Sequence, residues 1–293
     1  MSDALLESTA VVTVSYNSSA HLRAFLSSIR ASETEAVTII VADNGSEDIA
    51  EVVTTAAEFN ATLLTFAENY GYGGAINRAA ATLPPHITSL LVSNPDVSFD
   101  VGAIRRLVHA LDVTPTAGAV GPRVLNADGS VYPSARRLPS LRTGVGHALF
   151  SRVWPGNPWT RRYLSDAFES PTAQPVGWLS GSCVLVRRSA FDAIGGFDEQ
   201  YFMYFEDVDL GFRLGKAGWL NLYYPDASVV HTGAHSTSTE SRRMLEVHHQ
   251  SAYHYLEKKY STAWLAPLRL ALKIGLKARA AVHVRRAERT LRQ

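Results

Sequence analysis

The chain has 293 residues, of which 46% are hydrophobic and 19% charged. That length can bury one large core or two small ones, and the charged content is ordinary for a soluble globular protein. The single cysteine, Cys183, excludes an internal disulfide and any zinc site built from several cysteines, and it fits a reducing compartment. Neither a basic-then-apolar leader nor an apolar run of about 20 residues is present. The sequence therefore predicts neither export nor a membrane span.

Charge is unevenly distributed along the chain. From Ala263 to the end, eight Lys and Arg residues face one acid, Glu288, a net of +7 within an overall charge of +1, so the preceding part carries −6. An acidic body with a basic tail predicts an anionic partner for the tail, either nucleic acid or a membrane surface. We expect one domain over 1–236 and an appendage over 237–293.

Strand and helix patterns alternate along the first hundred residues. Buried-type strands are predicted over 10–15, 37–42, 61–66 and 89–93, with helices at 22–29, 49–59, 74–83 and 101–111. Such alternation predicts a parallel sheet, which binds ligands at the carboxyl ends of its strands. The polar residues predicted at those ends are Tyr16, Asn17, the run Asp43-Asn44-Gly45-Ser46, the run Glu68-Asn69-Tyr70-Gly71, and Asn94-Pro95-Asp96.

The second half of the chain is less regular. Short strands are predicted over 118–125 and 130–132, and a single strand over 176–187. The intervening loop, 133–175, is rich in arginine, aromatic residues and proline, and so long a loop is usually functional or mobile. From Ser238 onward the pattern is helical.

Three carboxylates interrupt an apolar and aromatic run at 202–210, Phe-Met-Tyr-Phe-Glu-Asp-Val-Asp-Leu. Burying acids beside aromatic groups is costly unless the acids are paired or used. Apolar surroundings raise the pKa of a carboxyl group, which suits a general base that takes a proton from a sugar hydroxyl. The alternative is a helix N-terminus, with Arg213 and Lys216 answering the acids near the other end. The segment alone fits both interpretations equally.

The other motifs are weak when each is taken alone. Asp43 could accept hydrogen bonds from a nucleotide base or ribose, but the same residues form an ordinary turn. The glycine run after Tyr70 lacks the third glycine of a dinucleotide fingerprint. Asp96 offers one hard oxygen ligand, and His231, or less favourably His235, could be another, although a lone histidine is more often structural. No serine-hydrolase elbow is present, and the acidic body argues against nucleic-acid binding.

The C-terminal segment has the profile of a basic amphipathic helix. Apolar residues share one predicted face while cations recur at four-residue spacing beside it, namely Trp264, Leu265, Leu268, Leu272 and Leu276 against Arg269, Lys273 and Lys277. That pattern favours a helix lying in a membrane interface over a helix packed on the body or in a dimer.

Taken in order, these motifs resemble family 2 glycosyltransferases of the GT-A fold over about 9–233. The matching segments are 12–17, 43–46, 68–77, 94–96, 195–199 and 205–210. Within the family the chain is most similar to rhamnosyltransferases that use dTDP-L-rhamnose and act on N-acetylglucosaminyl-diphosphoryl-polyprenol in actinobacterial cell-wall synthesis, at the arabinogalactan linker. The resemblance implies an α/β fold with a mixed, mainly parallel, Rossmann-like sheet flanked by helices, and a C-terminal helical extension.

The resemblance also implies roles for individual residues. Asp207 would be the general base of an inverting transfer, with Glu206 beside it. Helical spacing separately predicts that Arg213, one turn from Asp209, holds that carboxylate as a structural partner. Asp96 and His231 would hold Mg²⁺ or Mn²⁺, although Asn94 stands where the family's usual first Asp would be. The implied nucleotide-sugar site comprises Tyr16, Asn17, Asp43, Asn69, Gly71, Asn77, Asn94 and Asp96, and the implied acceptor contacts are Trp178, Glu206, Arg136 and Arg137.

The implied partners are a nucleotide-sugar donor, a polyprenyl-diphosphate-linked glycan and the cytoplasmic membrane surface, with no nucleic acid. We expect a cytoplasmic enzyme held peripherally on the inner face of the plasma membrane, and the sequence leaves a homo-oligomer open. The absence of a Gln-x-x-Arg-Trp motif after Leu214 favours transfer of one sugar. The alternatives are an inverting transferase with another donor, galactofuranosyl or glucosyl, and a non-catalytic sugar-nucleotide-binding protein at the membrane.

Overall fold

The computed structural model describes residues 3–32, 37–140, 170–233 and 242–275. Its strands are β1 Thr9–Ser15, β2 Thr38–Asp43, β3 Thr62–Thr65, β4 Ser89–Ser93, β5 Val97–Phe99, β6 Ala117–Leu125, β7 Val131–Tyr132, β8 Ala135–Arg136, β9 Gln174–Val176, β10 Trp178–Leu179, β11 Cys183–Arg187 and β12 Leu220–His231. Its helices are α1 Ala4–Glu7, α2 Ser19–Ala31, α3 Ile49–Glu58, α4 Gly71–Ala81, α5 Ala103–Asp112, α6 Arg188–Ala193, α7 Glu206–Lys216 and α8 Arg242–Lys259. A 3₁₀ turn, Ala263–Leu265, precedes a further helix, α9, described over 266–275.

One mixed sheet organises the described residues, in the order β3-β2-β1-β4-β11-β6-β12-β5. The half formed by β3, β2, β1 and β4 is parallel, as the alternating pattern predicts. Strand β11 joins the two halves by antiparallel pairing with β4 and β6, and β12 runs parallel to β6 and antiparallel to β5. The carboxyl ends of the four parallel strands therefore lie along one edge.

Both faces of the sheet are covered by helices, which is why its central strands read as continuous apolar runs. On β1, Val11 faces the core that includes Phe25 of α2. Its neighbour Val12 faces the opposite core with Ile76 of α4. All four side chains are fully buried, so the core rigidly supports the loops at the strand ends.

The single strand predicted over 176–187 is wrong. The chain instead forms β9, β10 and β11, and β10 leaves the main sheet to pair with β8. At the first break, Gly177 lets the chain pass close to another segment, because a Cβ there would lie 2.3 Å from the backbone nitrogen of Leu138. The second break is the turn 180–182, which reaches the acidic helix α7 through Gly181.

The helical prediction from Ser238 onward is divided between two different helices. Helix α8 packs against the acidic segment, and its Tyr255 is fully buried with Tyr201 and Val208. After 260–262 the chain continues through the 3₁₀ turn, where 76% of Trp264 is exposed, into α9, where 61% of Ile274 is exposed. None of the helices in the described ranges is long and apolar enough to cross a membrane. Leu276, Lys277 and the later basic residues lie outside the described residues.

Candidate active site

The loops that follow β1 and β2 are tied together at the sheet edge. The backbone N–H of Asn17 donates to Ser46 Oγ at 3.0 Å, and Asn17 Oδ1 accepts from the N–H of Glu47 at 2.8 Å. Asn17 adopts a left-handed conformation with φ of 50°, which its short polar side chain tolerates. Tyr16, with 53% of its surface exposed, stands beside this joint. Its ring is accessible to a ligand at the edge.

Asp43 shapes the turn that follows β2. Its Oδ1 accepts from the N–H groups of Gly45 and Ser46 at 3.1 and 2.9 Å, and its Oδ2 accepts from Ser46 Oγ at 2.5 Å. Only 1% of the residue is exposed. The structure thus shows the turn interpretation of this motif, and a direct contact of Asp43 with a nucleotide stays a prediction.

Asn69 and Gly71 form a loop that reaches across to the acidic segment. Asn69 Oδ1 accepts from the N–H of Gly71 at 2.9 Å, and the Gly71 carbonyl accepts from the side-chain amide of Asn44 at 3.0 Å. Gly71 has φ of +73°, and a Cβ there would lie 2.4 Å from the carbonyl oxygen of Phe202. Glycine is therefore required for this close approach of two backbones.

Asn77 does not join the residues at the strand ends. Its amide donates to the carbonyl of Phe197 at 2.9 Å and accepts from the N–H of the same residue at 2.9 Å. These two bonds hold the Gly-Gly-Phe-Asp-Glu turn on α4. Asn77 braces that turn in this arrangement, and the nucleotide-sugar contact implied by the resemblance stays a prediction.

Asn94, Asp96 and His231 converge at the end of β4, as their proposed common role requires. His231 Nε2 lies 3.1 Å from Asp96 Oδ1 and 3.4 Å from Asn94 Nδ2. The antiparallel pairing of β12 with β5, which sets His231 opposite Val97, produces this placement. Burial alone would raise the pKa of Asp96, but the hydrogen bond and charge of His231 outweigh it and hold that pKa below its ordinary value. The predicted ligand His235 lies outside the described residues.

Asp96 and His231 are two side chains to which a divalent cation could bind. Oδ1 of Asp96 and Nε2 of His231, 3.1 Å apart, are an oxygen and a nitrogen donor that could bind one ion with Nε2 deprotonated. Within the described ranges, no group of three or more His, Cys, Asp or Glu side chains could hold a metal. The remaining positions would then belong to water and diphosphate oxygens.

The acidic helix α7 begins directly at the two carboxylates Glu206 and Asp207. Asp207 is half-buried, its Oδ2 accepts from the N–H of Gly181 at 3.0 Å, and its Oδ1 accepts from the N–H of Val208 at 2.7 Å. Desolvation raises the pKa of Asp207, and these two backbone hydrogen bonds work against that rise by stabilising the ionised form.

Glu206 has the opposite environment. It is buried, and its Oε2 has no hydrogen-bond partner among the described residues. Desolvation, with the adjacent charge of Asp207, raises the pKa of Glu206 to about 8. Two neighbouring carboxyl groups with such different surroundings divide into one that keeps its proton and one that ionises first. Glu206 is the carboxyl group that keeps its proton, and Asp207 is the one that ionises first.

Asp209 is paired with Arg213, as the sequence analysis predicts. Its Oδ2 lies 2.5 Å from Arg213 Nε, and Arg213 also donates to the carbonyls of Ile194 and Gly196. Asp209 is fully buried and points away from Asp207 along the helix, because residues two apart lie on different faces. The third carboxylate therefore belongs to the scaffold of the site.

The predicted acceptor residues lie on the α7 side of the sheet. The positive charge of Arg136 favours the ionised form of Asp207. It opposes the rise in the pKa of Asp207 less than the backbone hydrogen bonds from Gly181 and Val208 do. Trp178 packs against the apolar cluster that includes Val208, and its indole N–H donates to the carbonyl of Arg137 at 3.2 Å. The other arginines of the loop 133–175, namely Arg142, Arg152, Arg161 and Arg162, lie outside the described residues.

Two tyrosines of the site were not assigned roles from the sequence. Tyr132 on β7 packs its ring edge-on against His231, with centroids 5.9 Å apart, and the charge of Asp207 contributes to its raised pKa, after burial. Tyr72, at the start of α4, donates its hydroxyl to the carbonyl of Gly181 at 2.6 Å. The only available signal was a tyrosine inside the glycine run 71–74, which also fits an ordinary helix start.

Comparison with known proteins identifies the family of the chain. Residues 7–246 match the family model described as "Glycosyltransferase like family 2". The N-acetylglucosaminyl-diphospho-decaprenol L-rhamnosyltransferase of Mycobacterium tuberculosis is 46% identical over 292 residues, covering 97% of this chain and 95% of that protein.

Two solved glycosyltransferases share the fold. The mannosyltransferase PcManGT from Pyrobaculum calidifontis, in complex with GDP-Man and Mn²⁺, has a TM-score of 0.59 at 15% identity, covering 97% of this chain and 80% of that one. GalNAc-T7, solved with UDP, GalNAc and Mn²⁺, has a TM-score of 0.54 at 16% identity over 92% of this chain and 54% of that one. The GT-A fold expected from the resemblance is confirmed. The chain belongs to glycosyltransferase family 2.

Proposed function

We propose that the protein transfers one L-rhamnose from dTDP-L-rhamnose to a polyprenyl-diphosphate-linked N-acetylglucosamine, with inversion at the sugar carbon. The observation that carries this proposal is the 46% identity, over nearly the whole of both chains, to a rhamnosyltransferase named for N-acetylglucosaminyl-diphospho-decaprenol. The paired carboxylates of α7 and the Asp96–His231 pair provide the groups such a transfer needs.

In this proposal Asp207 takes the proton from the acceptor hydroxyl. It is half-buried and accepts two backbone hydrogen bonds, so it ionises before its neighbour while staying accessible. Glu206 keeps its proton near neutral pH, which leaves it able to donate a hydrogen bond to the acceptor. The two adjacent carboxyl groups thus divide proton removal from substrate orientation.

Asp96 and His231 would hold a divalent cation, Mg²⁺ or Mn²⁺, supported by their 3.1 Å separation and by the Mn²⁺ in both structural relatives. When bound, such an ion neutralises the negative charge of the leaving diphosphate. Tyr16, Asn17 and Asn69 would receive the nucleotide at the strand ends, and Asp43 would hold their loop in place. Arg136, Arg137 and Trp178 would face the acceptor.

Exposed apolar residues of the 3₁₀ turn and of α9 support binding to a membrane surface, which we propose to be the cytoplasmic face. Trp264, Leu270 and Ile274 expose 76%, 59% and 61% of their surfaces, and the basic charge continues past them to the end of the chain. A chain ending at Thr262 should lose binding to vesicles of anionic phospholipid, while Trp264→Glu should weaken it. Equal binding of the truncated and full chains at low salt would reject the membrane role.

A panel of nucleotide sugars tests the proposed donor. Transfer to a short-chain N-acetylglucosaminyl-diphosphoryl lipid should be fastest with dTDP-L-rhamnose, and slower with UDP-galactofuranose and UDP-glucose. A preference for either competitor would establish the alternative of an inverting transferase with another donor. Donor binding without any transfer would establish a non-catalytic sugar-nucleotide-binding protein.

A further inference from the structure

A chain of two hydrogen bonds connects Tyr72 to the proposed base. The Tyr72 hydroxyl donates to the carbonyl of Gly181 at 2.6 Å, and the N–H of Gly181 donates to Oδ2 of Asp207 at 3.0 Å. A Cβ on Gly181 would lie 3.4 Å from the Tyr72 ring and 3.5 Å from Asp207 Cβ, so the turn at 180–182 passes directly between the two side chains.

Tyr72 is also fixed to the acidic segment by its backbone. Its N–H donates to the carbonyl of Phe202 at 3.3 Å, and its ring packs edge-on against Phe197 with centroids 6.3 Å apart. Gly71 brings α4 close enough for these contacts, because its lack of a side chain lets it approach Phe202. One residue therefore joins the loop after β3, the turn before β11 and the segment before α7.

The Tyr72 hydroxyl remains protonated and can act only as the donor toward a carbonyl. Burial raises the pKa of Tyr72 well above its ordinary value, and the negative charges of Glu206, Asp207 and Asp96 add to the rise, with a contribution from Cys183. The carbonyl and the N–H of Gly181 belong to the two peptide groups that meet at its Cα. The bond from Tyr72 therefore anchors one side of Gly181 in the turn, and the bond to Asp207 is made by the other side.

We infer that Tyr72 is a positioning residue for the base, acting through the turn at Gly181. Its hydroxyl holds the turn so that the Gly181 N–H meets Asp207 Oδ2, which sets the direction of the carboxylate and favours its ionised form. Since Tyr72 also begins the helix beside the predicted nucleotide loop, it connects the donor side of the site to the base. The inference rests on the proposed role of Asp207.

The substitution Tyr72→Phe tests the inference, because it removes only the hydroxyl and keeps the ring against Phe197. We expect kcat for sugar transfer to fall about tenfold while KM for the donor changes less than twofold. The acid limb of the kcat–pH profile should move to higher pH, since a weaker Gly181 hydrogen bond raises the pKa of Asp207. Tyr72 is one of four charged or titratable groups that face Asp207. The other three, Glu206, Arg136 and Tyr132, are unchanged in this variant.

Tyr253→Phe is the matched control, because it removes a tyrosine hydroxyl that donates to Glu257 on the exposed face of α8. It should leave kcat and the pH profile unchanged. The inference would be overturned if Tyr72→Phe kept the wild-type kcat, or if the variant failed to fold. It would also be overturned if the acid limb did not shift while the unfolding temperature fell. Full activity in Asp207→Asn would instead overturn the base assignment, whereas an inactive Asp207→Asn beside a fully active Tyr72→Phe would reject only the role of Tyr72.

Discussion

Lys258 Nζ lies 2.7 Å from Oδ1 of Asp209, a fully buried carboxylate on the helix that begins with the proposed base. The same ammonium group lies 2.9 Å from Oδ2 of Asp198, and Nε2 of His254 lies 3.5 Å from that oxygen. Ser251 of the same helix donates to the carbonyl of Met203 at 2.9 Å. Helix α8 is therefore part of the active-site framework, and the appendage predicted to begin at 237 is joined to the body by ionic contacts.

Replacement of Lys258 by Met should destabilise the fold. Asp209 would keep Arg213 as a partner, so we expect the free energy of unfolding to fall by about 2 kcal/mol, as for a lost hydrogen bond to a charged group. Lys216→Met, at the exposed end of α7, should change it by no more than about 0.5 kcal/mol. Urea unfolding at pH 7 measures both, and equal effects would contradict a specific role of Lys258.

The Lys258 contribution should also depend on pH. Burial alone would raise the pKa of Asp198, but the hydrogen bond and charge of Lys258 outweigh burial and hold that pKa below its ordinary value of 3.8. The stabilisation is thus present above that value and lost as pH falls through the lower folded pKa. The difference in free energy of unfolding between wild type and Lys258→Met should therefore become smaller as the pH is lowered below 3.8.

The two adjacent carboxylates should respond differently to neutral replacement. Asp207→Asn removes the proposed base, and kcat should fall by about 10²–10⁴-fold with donor binding intact. Glu206→Gln keeps a hydrogen-bond donor in place of a carboxyl group that is protonated near neutral pH, so its kcat should fall far less. Single-turnover transfer and donor titration measure these effects, and the reverse order would assign the base to Glu206.

Glu206 should make the fold less stable in alkali. Its pKa is about 8 in the folded chain, against an ordinary 4.5, so stability is fully present below the ordinary value and is lost as pH rises through the folded one. The side chain in Glu206→Gln cannot ionise. We expect the free energy of unfolding of this variant to exceed that of wild type by more than about 1 kcal/mol at pH 8, and the difference to shrink toward pH 4. Thermal unfolding across this range provides the measurement, and a constant difference would contradict the buried environment of Glu206.

The proposed metal pair predicts loss of activity on chelation. EDTA should abolish transfer, and Mn²⁺ or Mg²⁺ should restore it. His231→Ala should raise the metal concentration needed for half-maximal activity about 10- to 100-fold, whereas His86→Ala, an exposed histidine, should not change it. Full activity of the wild type in excess EDTA would contradict a metal role for Asp96 and His231.

Much of the framework follows from local sequence patterns. Apolar runs such as 89–93 place the parallel strands, and the polar residues after them do meet at one sheet edge. The pairing of Asp209 with Arg213 follows from helical spacing alone. These relationships can be predicted from the sequence because each arises within one helix or strand, or from one regular sheet topology.

The remaining features depend on contacts between distant segments. Tyr72 and Gly181 are 109 residues apart, and no periodicity connects them. Asn77 has the residue type of a ligand contact, but tertiary packing commits its amide to Phe197. The close approach of Gly177 to Leu138 likewise depends on the tertiary fold. Residue type thus indicates what a side chain could do, and packing decides which partner it meets.

The mass of the reaction product tests the central claim most directly. The protein would be incubated with dTDP-L-rhamnose, Mn²⁺ and a short-chain N-acetylglucosaminyl-diphosphoryl lipid, with Asp207→Asn as the control. We predict a lipid product heavier by one deoxyhexose residue, with no further additions and none formed by the control. An unchanged acceptor in the presence of folded, donor-bound enzyme would contradict the account.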